Sequence, residues 1–531
     1  MPMAIIVQLC WQFERMRQVL LHYHILKNGG SSIIEILRRS YWGTFAEYDL
    51  PHKDAEITTP DLIAYLEANP LANAFSSHQI FYPMAAAPGF LFYDICFLRD
   101  PLDRIRSIYD YFRGRPAEGD PIRELANQWT LGEFVRRLVE EMPWTVNDVQ
   151  VNLLANGLIH DQPRGPGDLE IATRRMLDTS FLGVVDLYDE SLVAGQHGLS
   201  VVFPGLNCVQ APVNEAAVKG STLSGRLQNL ESACDADVYS ELLRLNAMDL
   251  ELLRRARAEV MRRFALIPDR DARLKGLKEG VAILKARGDP EPGAIAPQPR
   301  AAKNDRAELR KRWWNFSSNL RASRPGSAYR RLIDSRFYLS RYPDVRAAGV
   351  SALRHYVLHG AAEGRKPNAL FQPEYYSTVC EAARGAEDPL MHFALSDRSA
   401  CASPHPLFDC AGWRNANPRG RRNPLAEYFE HLRRRVHAAP PTALECDSAR
   451  MVIQDVEILI VFPGPQFDSR PAEERDRVFE ELCARSSCEV AVVWLDGCGE
   501  KKFLCAPQLE PFLQSARYDQ LAAQISAPPP A

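Results

Sequence analysis

The sequence of 531 residues has no surplus of charge, because 64 Lys and Arg face 67 Asp and Glu for a formal net charge of −3. Because positive and negative charges are nearly equal in number, there is no electrostatic reason to expect a nucleic acid or an anionic membrane as partner. No apolar run approaches the roughly 18 residues that a membrane helix needs, so no transmembrane segment is predicted. The first residues have neither a basic segment nor a small-residue cleavage site, so no signal peptide is predicted.

Paired cysteine spacings are also missing, although the chain contains 12 cysteines. There is no CxxC pair and no paired Cys/His spacing, which argues against a zinc module and against a disulfide framework. We therefore expect reduced, mostly buried thiols, no metal site and a cytoplasmic location, with a peripheral position at the inner membrane as the alternative.

The common phosphate loop, in which a lysine follows the last glycine and precedes Ser or Thr, is absent too. In its place, residues 18–36, QVLLHYHILKNGGSSIIEI, put Lys27 before Gly29 and Gly30. The apolar start predicts a β-strand, the glycines predict a tight turn, and the residues from Ser31 predict a helix capped at its start by hydroxyls.

This strand–turn–helix element has two interpretations. The unpaired N–H groups at the helix start, the positive end of the helix dipole and Lys27 together favour the binding of a phosphate or sulfate. In the alternative, Gly29 and Gly30 serve only the backbone geometry of a β–α corner.

A second element of the same kind begins with the apolar run 90–98, FLFYDICFL, and leads directly into Arg99 and Pro101. The run predicts a buried strand, and the proline suits the first turn of a helix. Such a helix places Arg104 and Ser107 on one face, with Arg99 at the carboxyl end of the strand, where open α/β sheets bind ligands. Arginine and a hydroxyl suit a second phosphate, while a structural Arg/Asp-rich helix cap is the alternative.

In this order, the two elements resemble the sulfotransferases that use 3′-phosphoadenosine 5′-phosphosulfate (PAPS). The similarity is greatest to carbohydrate sulfotransferases of the heparan sulfate 2-O type and their bacterial relatives, whose first motif runs His-Ile-Pro-Lys-Thr-Gly-Gly-Thr-Ser. Residues 24–32, HILKNGGSS, keep the lysine and both glycines, whereas Leu26 replaces the proline and Asn28 the first threonine. Arg99 and Ser107 keep the Arg-to-Ser spacing of the family's second motif.

Later segments match the same family in order. Residues 77–81, SHQIF, lie where the family has Gly-His-x-x-Phe, and residues 147–154, NDVQVNLL, resemble Asn-x-Gln-Thr-Arg-x-Leu without its Thr-Arg pair. Residues 181–192 resemble a strand-to-helix segment of the family, and residues 246–253 resemble its closing Asn-x-x-Asp-x-x-Leu helix. The resemblance thus covers about residues 18–260.

The resemblance implies a P-loop-like α/β domain with a mostly parallel sheet, and transfer of a sulfuryl group from PAPS to a hydroxyl of a glycan or glycan precursor. Lys27 is implied to stabilise the leaving group, and His78 to act as the base that accepts the hydroxyl proton. No metal is implied. The residues implied to bind PAPS are Lys27, Asn28, Gly29, Gly30, Ser31 and Ser32 at the 5′-phosphosulfate, and Arg99 and Ser107 at the 3′-phosphate.

The predicted domains are an N-terminal extension at 1–17, the sulfotransferase domain at 18–285, a Pro/Arg-rich linker at 286–331, aromatic repeats at 332–435 and a tail at 436–531. The repeats recur after 37–38 residues, which predicts short helical units. They resemble repeats found beside bacterial glycosyltransferase domains, which implies contact with polysaccharide-synthesis enzymes. The tail predicts an incomplete, glycosyltransferase-like α/β segment.

Two rival functions stay open. A P-loop kinase or other nucleotide-binding enzyme would use the same strand ends, but Asn28 occupies the position where such an enzyme needs a Mg²⁺-binding Ser or Thr. A glycan-binding scaffold with a decayed sulfotransferase domain agrees with Leu26, Asn28 and the missing Thr-Arg pair. The presence of Lys27, Arg99 and Ser107 argues against decay.

Overall fold

The computed structural model describes residues 16–525 except for 42, 52–54, 117–118, 158–164, 211–221, 288–328, 348–349, 387, 399–400, 421–422, 436–445 and 487. The predicted extension up to residue 15 and most of the predicted linker therefore lie outside the described residues. The chain divides into two compact units. We call them the N-terminal unit, which contains Met16–Ala294 and Pro511–Ala523, and the C-terminal unit, which contains Ile295–Glu510.

The N-terminal unit alternates strands and helices along the chain. Its elements up to the last strand are β1 (Arg17–Tyr23), α1 (Gly30–Ser40), β2 (Phe45–Glu47), α2 (Thr59–Ala68), β3 (Ala74–Ser77), β4 (Phe90–Leu98), α3 (Pro101–Phe112), α4 (Pro121–Gln128), α5 (Leu131–Glu141), α6 (Val149–Asn156), α7 (Pro166–Asp178) and β5 (Phe181–Val184). The helices that follow are α8 (Tyr188–Leu199), α9 (Leu223–Ala233), α10 (Ala236–Leu245), α11 (Ala247–Ala265) and α12 (Arg270–Arg287).

These five strands form one parallel sheet in the order β2-β3-β1-β4-β5. The mixed α/β fold with a parallel sheet is thus confirmed. The central strand β1 pairs with β3 on one side and with β4 on the other. The chain leaves β1 toward β2 and β3 and then crosses to β4, so the strand order reverses at the carboxyl end of β1. Ligand crevices in open α/β sheets occur at such a reversal.

The two predicted strand–turn–helix elements are both present. All nine residues of β4 are buried, and α3 begins at Pro101, where the carboxylate of Asp100 accepts the N–H groups of Leu102 and Asp103. The predicted hydroxyl capping of the first helix is wrong, however. The capping residue is Gly29, which has no side chain, because α1 begins at Gly30 and its serines lie inside the first turn.

The segment Pro511–Ala523, far along the sequence, belongs to the N-terminal unit. Within it, Arg517 forms a buried ion pair with Asp94 of β4 at 2.7 Å and donates to the carbonyl of Met84. Ser180, just before β5, donates to the carbonyl of Ser515. Sequence patterns predicted this segment only as the end of the tail, whereas these contacts make it part of the sheet-bearing unit.

The C-terminal unit begins with short helices. They are α13 (Ser335–Arg341), α14 (Pro343–Ala347), α15 (Ala352–His355), α16 (Pro373–Val379), α17 (Pro389–Leu395), α18 (Cys410–Ala416) and α19 (Pro424–Arg435). Within the described ranges, none of the helices of either unit combines the length and the apolar character that crossing a membrane requires.

The aromatic repeats pack through a recurring Tyr–His pair. The hydroxyl of Tyr338 lies 3.0 Å from Nδ1 of His355, and the hydroxyl of Tyr376 lies 3.0 Å from Nδ1 of His392 in the next copy. The two tyrosines occupy one position of the repeat and the two histidines another. Both tyrosines are fully buried. The predicted helical units that bury aromatic side chains are therefore present, and these histidines serve packing.

A four-stranded sheet follows the repeats in the order β6-β7-β8-β9. Its elements are β6 (Cys446–Ile453), β7 (Val456–Pro463), α20 (Ala472–Arg485), β8 (Glu489–Leu495) and β9 (Lys501–Cys505). The two helices that follow in sequence, α21 (Glu510–Ser515) and α22 (Tyr518–Ala522), belong to the N-terminal unit from Pro511 onward. The predicted β–α–β part is present as β7–α20–β8, whose strands are parallel. The antiparallel edge strands β6 and β9 were not predicted.

Candidate functional site

The loop between β1 and α1 has an unusual backbone at two residues. Lys27 has φ 66° and Gly29 has φ 81°, and the left-handed region is uncommon for a residue with a side chain. Such local strain is found most often at functional sites, where the surrounding structure holds it in place. The loop therefore presents Lys27 in a fixed position at the carboxyl end of the central strand.

The N–H groups at the start of α1 differ in their partners. That of Ser32 donates to the carbonyl of Gly29 at 3.1 Å. Among the described residues, no acceptor meets the N–H groups of Gly30 and Ser31. The side chain of Ser31 is exposed and that of Ser32 is buried. An anion at this helix start would thus have two backbone donors and one serine hydroxyl within the first turn.

Asn28 is turned away from solvent. Its side chain is buried, and its Nδ2 donates to the carbonyl of Phe97 and to Oε1 of Gln150, each at 2.8 Å. The amide therefore fastens the loop to the end of β4 and to α6. The side chain thus shapes the loop, and the binding of a cofactor by Asn28 stays a prediction.

Arg99, at the end of β4, lies against the same loop. Its Nη1 donates to the carbonyl of Lys27 at 2.8 Å, while its Nε and Nη2 bind Asp103 at 2.9 and 2.8 Å. Arg104 is buried as well and donates to the carbonyl of Leu26 at 3.1 Å. Two arginines of the second predicted element thus hold the backbone of the first, so the structure brings the two predicted anion-binding elements into contact.

Helix α3 presents a face to this loop that is marked by Asp103 and Tyr111. Asp103 binds Arg99, and the ring of Tyr111 lies 4.1 Å from Nζ of Lys27. Ser107 lies midway between these two residues at i, i+4 spacing, and is half-buried on the same helix face. Ser107 therefore lies on the helix face whose neighbours Asp103 and Tyr111 contact Arg99 and Lys27.

Gln150 and Asp249 form a hydrogen-bond network that supports the Lys27 loop and the end of β4. Sequence analysis gave neither residue a role. Oε1 of Gln150 accepts the N–H of Arg99 at 2.9 Å as well as the Asn28 amide, and its Nε2 donates to the carbonyl of Arg99 at 2.8 Å. The carboxylate of Asp249 accepts the N–H groups of Gln150 and Val151 at 3.0 and 2.7 Å. The matched segments 147–154 and 246–253 contained both residues, but spacing alone did not show that their side chains face this loop.

His78 follows β3 on the other side of the central strand. Its ring stacks on that of His24 with centroids 3.9 Å apart, and His24 in turn stacks on His22 at 5.3 Å. A Cβ added to Gly30 would lie 2.0 Å from the His24 ring, so only glycine leaves space for this stack. Lys27 thus has His78 on its β3 side and Arg99 on its β4 side.

Burial and neighbouring charge change the acid–base character of this edge. Burial, with Arg99 and Arg115 nearby, lowers the pKa of Lys27 to about 8. Burial and the neighbouring His78 lower the pKa of His24 to about 3, so that its imidazole is neutral at physiological pH. Among the described residues Lys27 has no ion-pair partner, and its ammonium rests on the Tyr111 ring. The edge therefore holds a lysine without a direct ion-pair partner, on which the charge of Asp110 acts from a greater distance.

The cluster suits anions better than cations. Lys27, Arg99 and Arg104 supply positive charge at one sheet edge, and Arg99 keeps further N–H donors beyond the three that it uses. In the part of the chain that the structure describes, no group of three or more His, Cys, Asp or Glu is arranged to hold a metal ion. Charge-assisted bonds to phosphate or sulfate are the chemistry that these side chains offer.

Comparison with known proteins finds a partial similarity to an archaeal protein. No protein-family model matches the chain. A curated protein of Archaeoglobus fulgidus, described as an uncharacterized protein, is 25% identical over 241 residues, which make up 44% of this chain and 94% of that protein. Nearly all of the archaeal protein thus corresponds to less than half of this chain.

Proposed function

We propose that the N-terminal unit is a P-loop-like sulfotransferase that moves a sulfuryl group from PAPS to a hydroxyl of a glycan or glycan precursor. The observation that carries this proposal is the 2.8 Å contact between Arg99 and the carbonyl of Lys27. It joins two cationic elements at one sheet edge. A donor with two separate phosphate groups fits two adjoining cationic elements better than a nucleotide with a single phosphate chain does.

Lys27 and the start of α1 are assigned to the 5′ end of the donor. When bound, PAPS supplies the sulfuryl group and a phosphate as leaving group. The ammonium of Lys27 stabilises the charge that develops on the leaving oxygen, and the N–H groups of Gly30 and Ser31 add two fixed dipoles. At neutral pH Lys27 carries this charge, since its pKa is lowered only to about 8.

Arg99 and Ser107 are assigned to the 3′-phosphate. Asp103 and the carbonyl of Lys27 orient the guanidinium, and the remaining donors of Arg99 are then available to a phosphate. Ser107 adds a hydroxyl from the adjoining face of α3. A guanidinium held in one orientation loses little conformational entropy when an anion binds.

His78 is assigned the proton transfer. Nearly half of its side chain is exposed, at 46%, and this leaves room for an acceptor. The hydroxyl oxygen of the acceptor bonds to sulfur as the bond from sulfur to the phosphate oxygen breaks, and His78 takes the hydroxyl proton. The cytoplasmic location and the contact of the aromatic repeats with polysaccharide-synthesis enzymes stay predictions.

Calorimetric titration of the full chain with adenosine 3′,5′-bisphosphate tests the proposal, with ATP and Mg²⁺ as the competing ligand. We expect the bisphosphate to bind, and Lys27→Met and Arg99→Ala each to weaken binding roughly 10- to 100-fold, because each removes a charge-assisted contact to a phosphate. Arg244→Ala is the matched control, since Arg244 is largely exposed and its one ion-pair partner within the described ranges is Glu241 on its own helix.

Each other result selects a rival function. Preference for ATP with Mg²⁺ would identify a kinase or another nucleotide-binding enzyme. Binding of neither ligand would leave a glycan-binding scaffold. Bisphosphate binding that Arg99→Ala leaves intact would reject the assignment of the 3′-phosphate to Arg99.

A further inference from the structure

Asp49 makes three contacts with the turn that carries His78. Its Oδ2 lies 3.0 Å from Nδ1 of His78, and its Oδ1 accepts the N–H of His78 at 2.9 Å and the hydroxyl of Ser77 at 2.6 Å. Asp49 follows β2, the edge strand that pairs with β3. The carboxylate therefore approaches the turn from the neighbouring strand end and contacts both its backbone and its imidazole.

One of these contacts comes from the Ser77 hydroxyl, and Ser77 stands where the resembled motif has glycine. It donates to Asp49 and accepts the N–H of Gln79 at 2.9 Å. A glycine at position 77 would offer Asp49 one hydrogen bond fewer. Although partial burial raises the pKa of Asp49, the hydrogen bonds from Ser77 and His78 outweigh it and hold that pKa below its usual value, so the group is a carboxylate at neutral pH.

The other ring nitrogen of His78 is available. Among the described residues Nε2 of His78 has no partner, and the side chains of His78 and Asp49 are 46% and 42% exposed. The groups that face this ring are Asp49 from the end of β2, and His24 from the end of β1 with Lys27 and His22 beyond it. His24 is neutral, so Asp49 is the charged group in direct contact with the imidazole.

We infer that Asp49 is a positioning residue for His78, which holds the proton of the neutral imidazole on Nδ1 and leaves Nε2 as the atom that accepts the hydroxyl proton of the sulfuryl acceptor. The inference rests on the proposed function. In the transfer, the acceptor proton moves to Nε2, the Nδ1–H stays donated to Asp49, and the carboxylate stabilises the imidazolium that results. Asp49 is thereby assigned a role that acts through His78, with no contact of its own to donor or acceptor.

The tautomer of His78 tests this inference without any acceptor. Two-dimensional ¹H–¹⁵N spectra of the full chain labelled with [¹⁵N]histidine, recorded at pH 8, show which ring nitrogen carries the proton, and His78→Gln assigns the signal. We expect Nδ1–H in the wild type. In Asp49→Asn we expect Nε2–H, because the amide oxygen satisfies Ser77 and the His78 N–H, so that the amide nitrogen donates to Nδ1.

Asp61→Asn is the matched control, since Asp61 is an exposed carboxylate that caps α2 through Thr58, and it should leave the wild-type tautomer. A wild-type Nε2–H tautomer would overturn the inference by itself, even if Asp49→Asn does not fold. So would an unchanged tautomer in folded Asp49→Asn. Titration of adenosine 3′,5′-bisphosphate into the same samples tests the proposed function separately from the role of Asp49. If the wild type does not bind the bisphosphate, the proposed function is rejected, while the tautomer result is unaffected.

Discussion

Two clusters of buried charge lie along β4, and they differ in the ratio of positive to negative groups and in their exposure to water. We call the one around Asp94 the closed cluster and the one around Lys27 and Arg99 the open cluster. In the middle of the strand, Asp94 and Arg517 have side chains 0% and 4% exposed and bind each other at 2.7 Å. The hydroxyl of Tyr23 satisfies the second oxygen of Asp94, and the carbonyl of Met84 takes a further N–H of Arg517. The charges of Asp94 and Arg517 balance each other and both side chains are closed to water, whereas Asp519, which also pairs with Arg517, is exposed.

In the open cluster, at the end of the same strand, cationic side chains outnumber the carboxylates that pair with them. Asp103 is shared between Arg99 and Arg226, and Lys27 has no carboxylate partner among the described residues. The cluster is also partly open, since Arg99 keeps 13% of its side-chain surface exposed. A neutral, closed cluster serves the fold, whereas an open cluster with surplus positive charge lowers its own electrostatic energy when an anion binds.

The largest expected effect comes from breaking the closed cluster. Arg517→Ala leaves Asp94 buried with one hydrogen-bond donor, and removal of one partner from a buried ion pair costs about 3–5 kcal/mol. We expect that loss in the unfolding free energy of the N-terminal unit. Hydrogen exchange of β1 and β4 peptides in increasing urea, measured on the full chain, reports this unit separately.

Asp519→Asn is the control for this variant. Asp519 also pairs with Arg517, but its side chain is 57% exposed, and exposed pairs contribute about 0–1 kcal/mol. Equal effects of Arg517→Ala and Asp519→Asn would show that the Asp94 pair does not stabilise the unit. The docking of Pro511–Ala523 would then contribute little to the sheet-bearing unit.

A smaller effect is expected at Gln150, which binds the backbone of Arg99 in the open cluster. Gln150→Leu keeps the volume but leaves the N–H and the carbonyl of Arg99 without the partners that Gln150 provides. A buried polar group without a partner costs about 1–3 kcal/mol, so we expect a stability loss of about 2 kcal/mol. We also expect weaker bisphosphate binding, since the loops of Lys27 and Arg99 lose their common support.

Gln128→Leu makes the same substitution at an exposed position at the end of α4, and it should change neither quantity. If Gln150→Leu lowered stability and left bisphosphate binding unchanged, the open cluster would be independent of the network beneath it. The comparison between the two clusters would then rest on charge alone.

The sequence predicted those parts of the site that depend on order along one strand and its helix. The run 90–98 is a buried strand, Pro101 starts a helix, and Lys27 and Arg99 lie at neighbouring strand ends because parallel strands bring their carboxyl ends to one edge. Apolar patterning and helix-start chemistry are local, so they are visible in a single sequence.

The remaining features depend on contacts between distant residues. Asn28 reaches Gln150 across 122 positions, and Arg517 reaches Asp94 across 423. No local pattern marks a buried asparagine that holds a loop, or an arginine in the tail that completes a distant sheet. Asp49 was missed for the same reason, because its carboxylate meets His78 only when β2 pairs with β3.

The smallest expected effect is a decrease in bisphosphate affinity as the pH rises. A lysine with a pKa of about 8 is charged below that pH and neutral above it, and the surplus charge of the open cluster should vanish in step. Both phosphates of adenosine 3′,5′-bisphosphate are fully ionised above pH 7, since their second pKa is about 6. We therefore expect the affinity to fall about tenfold between pH 7 and pH 9, which corresponds to about 1.4 kcal/mol.

Titration calorimetry at pH 7, 8 and 9 measures this change, and Lys27→Met is the variant that interprets it. The variant should bind weakly at all three pH values, because the group that titrates is gone while Arg99 stays charged throughout. A pH dependence that persists in Lys27→Met would assign the titration to another group. A flat profile in the wild type would mean that the lysine stays charged to higher pH, so that its burial between Arg99 and Arg115 does not reduce its basicity.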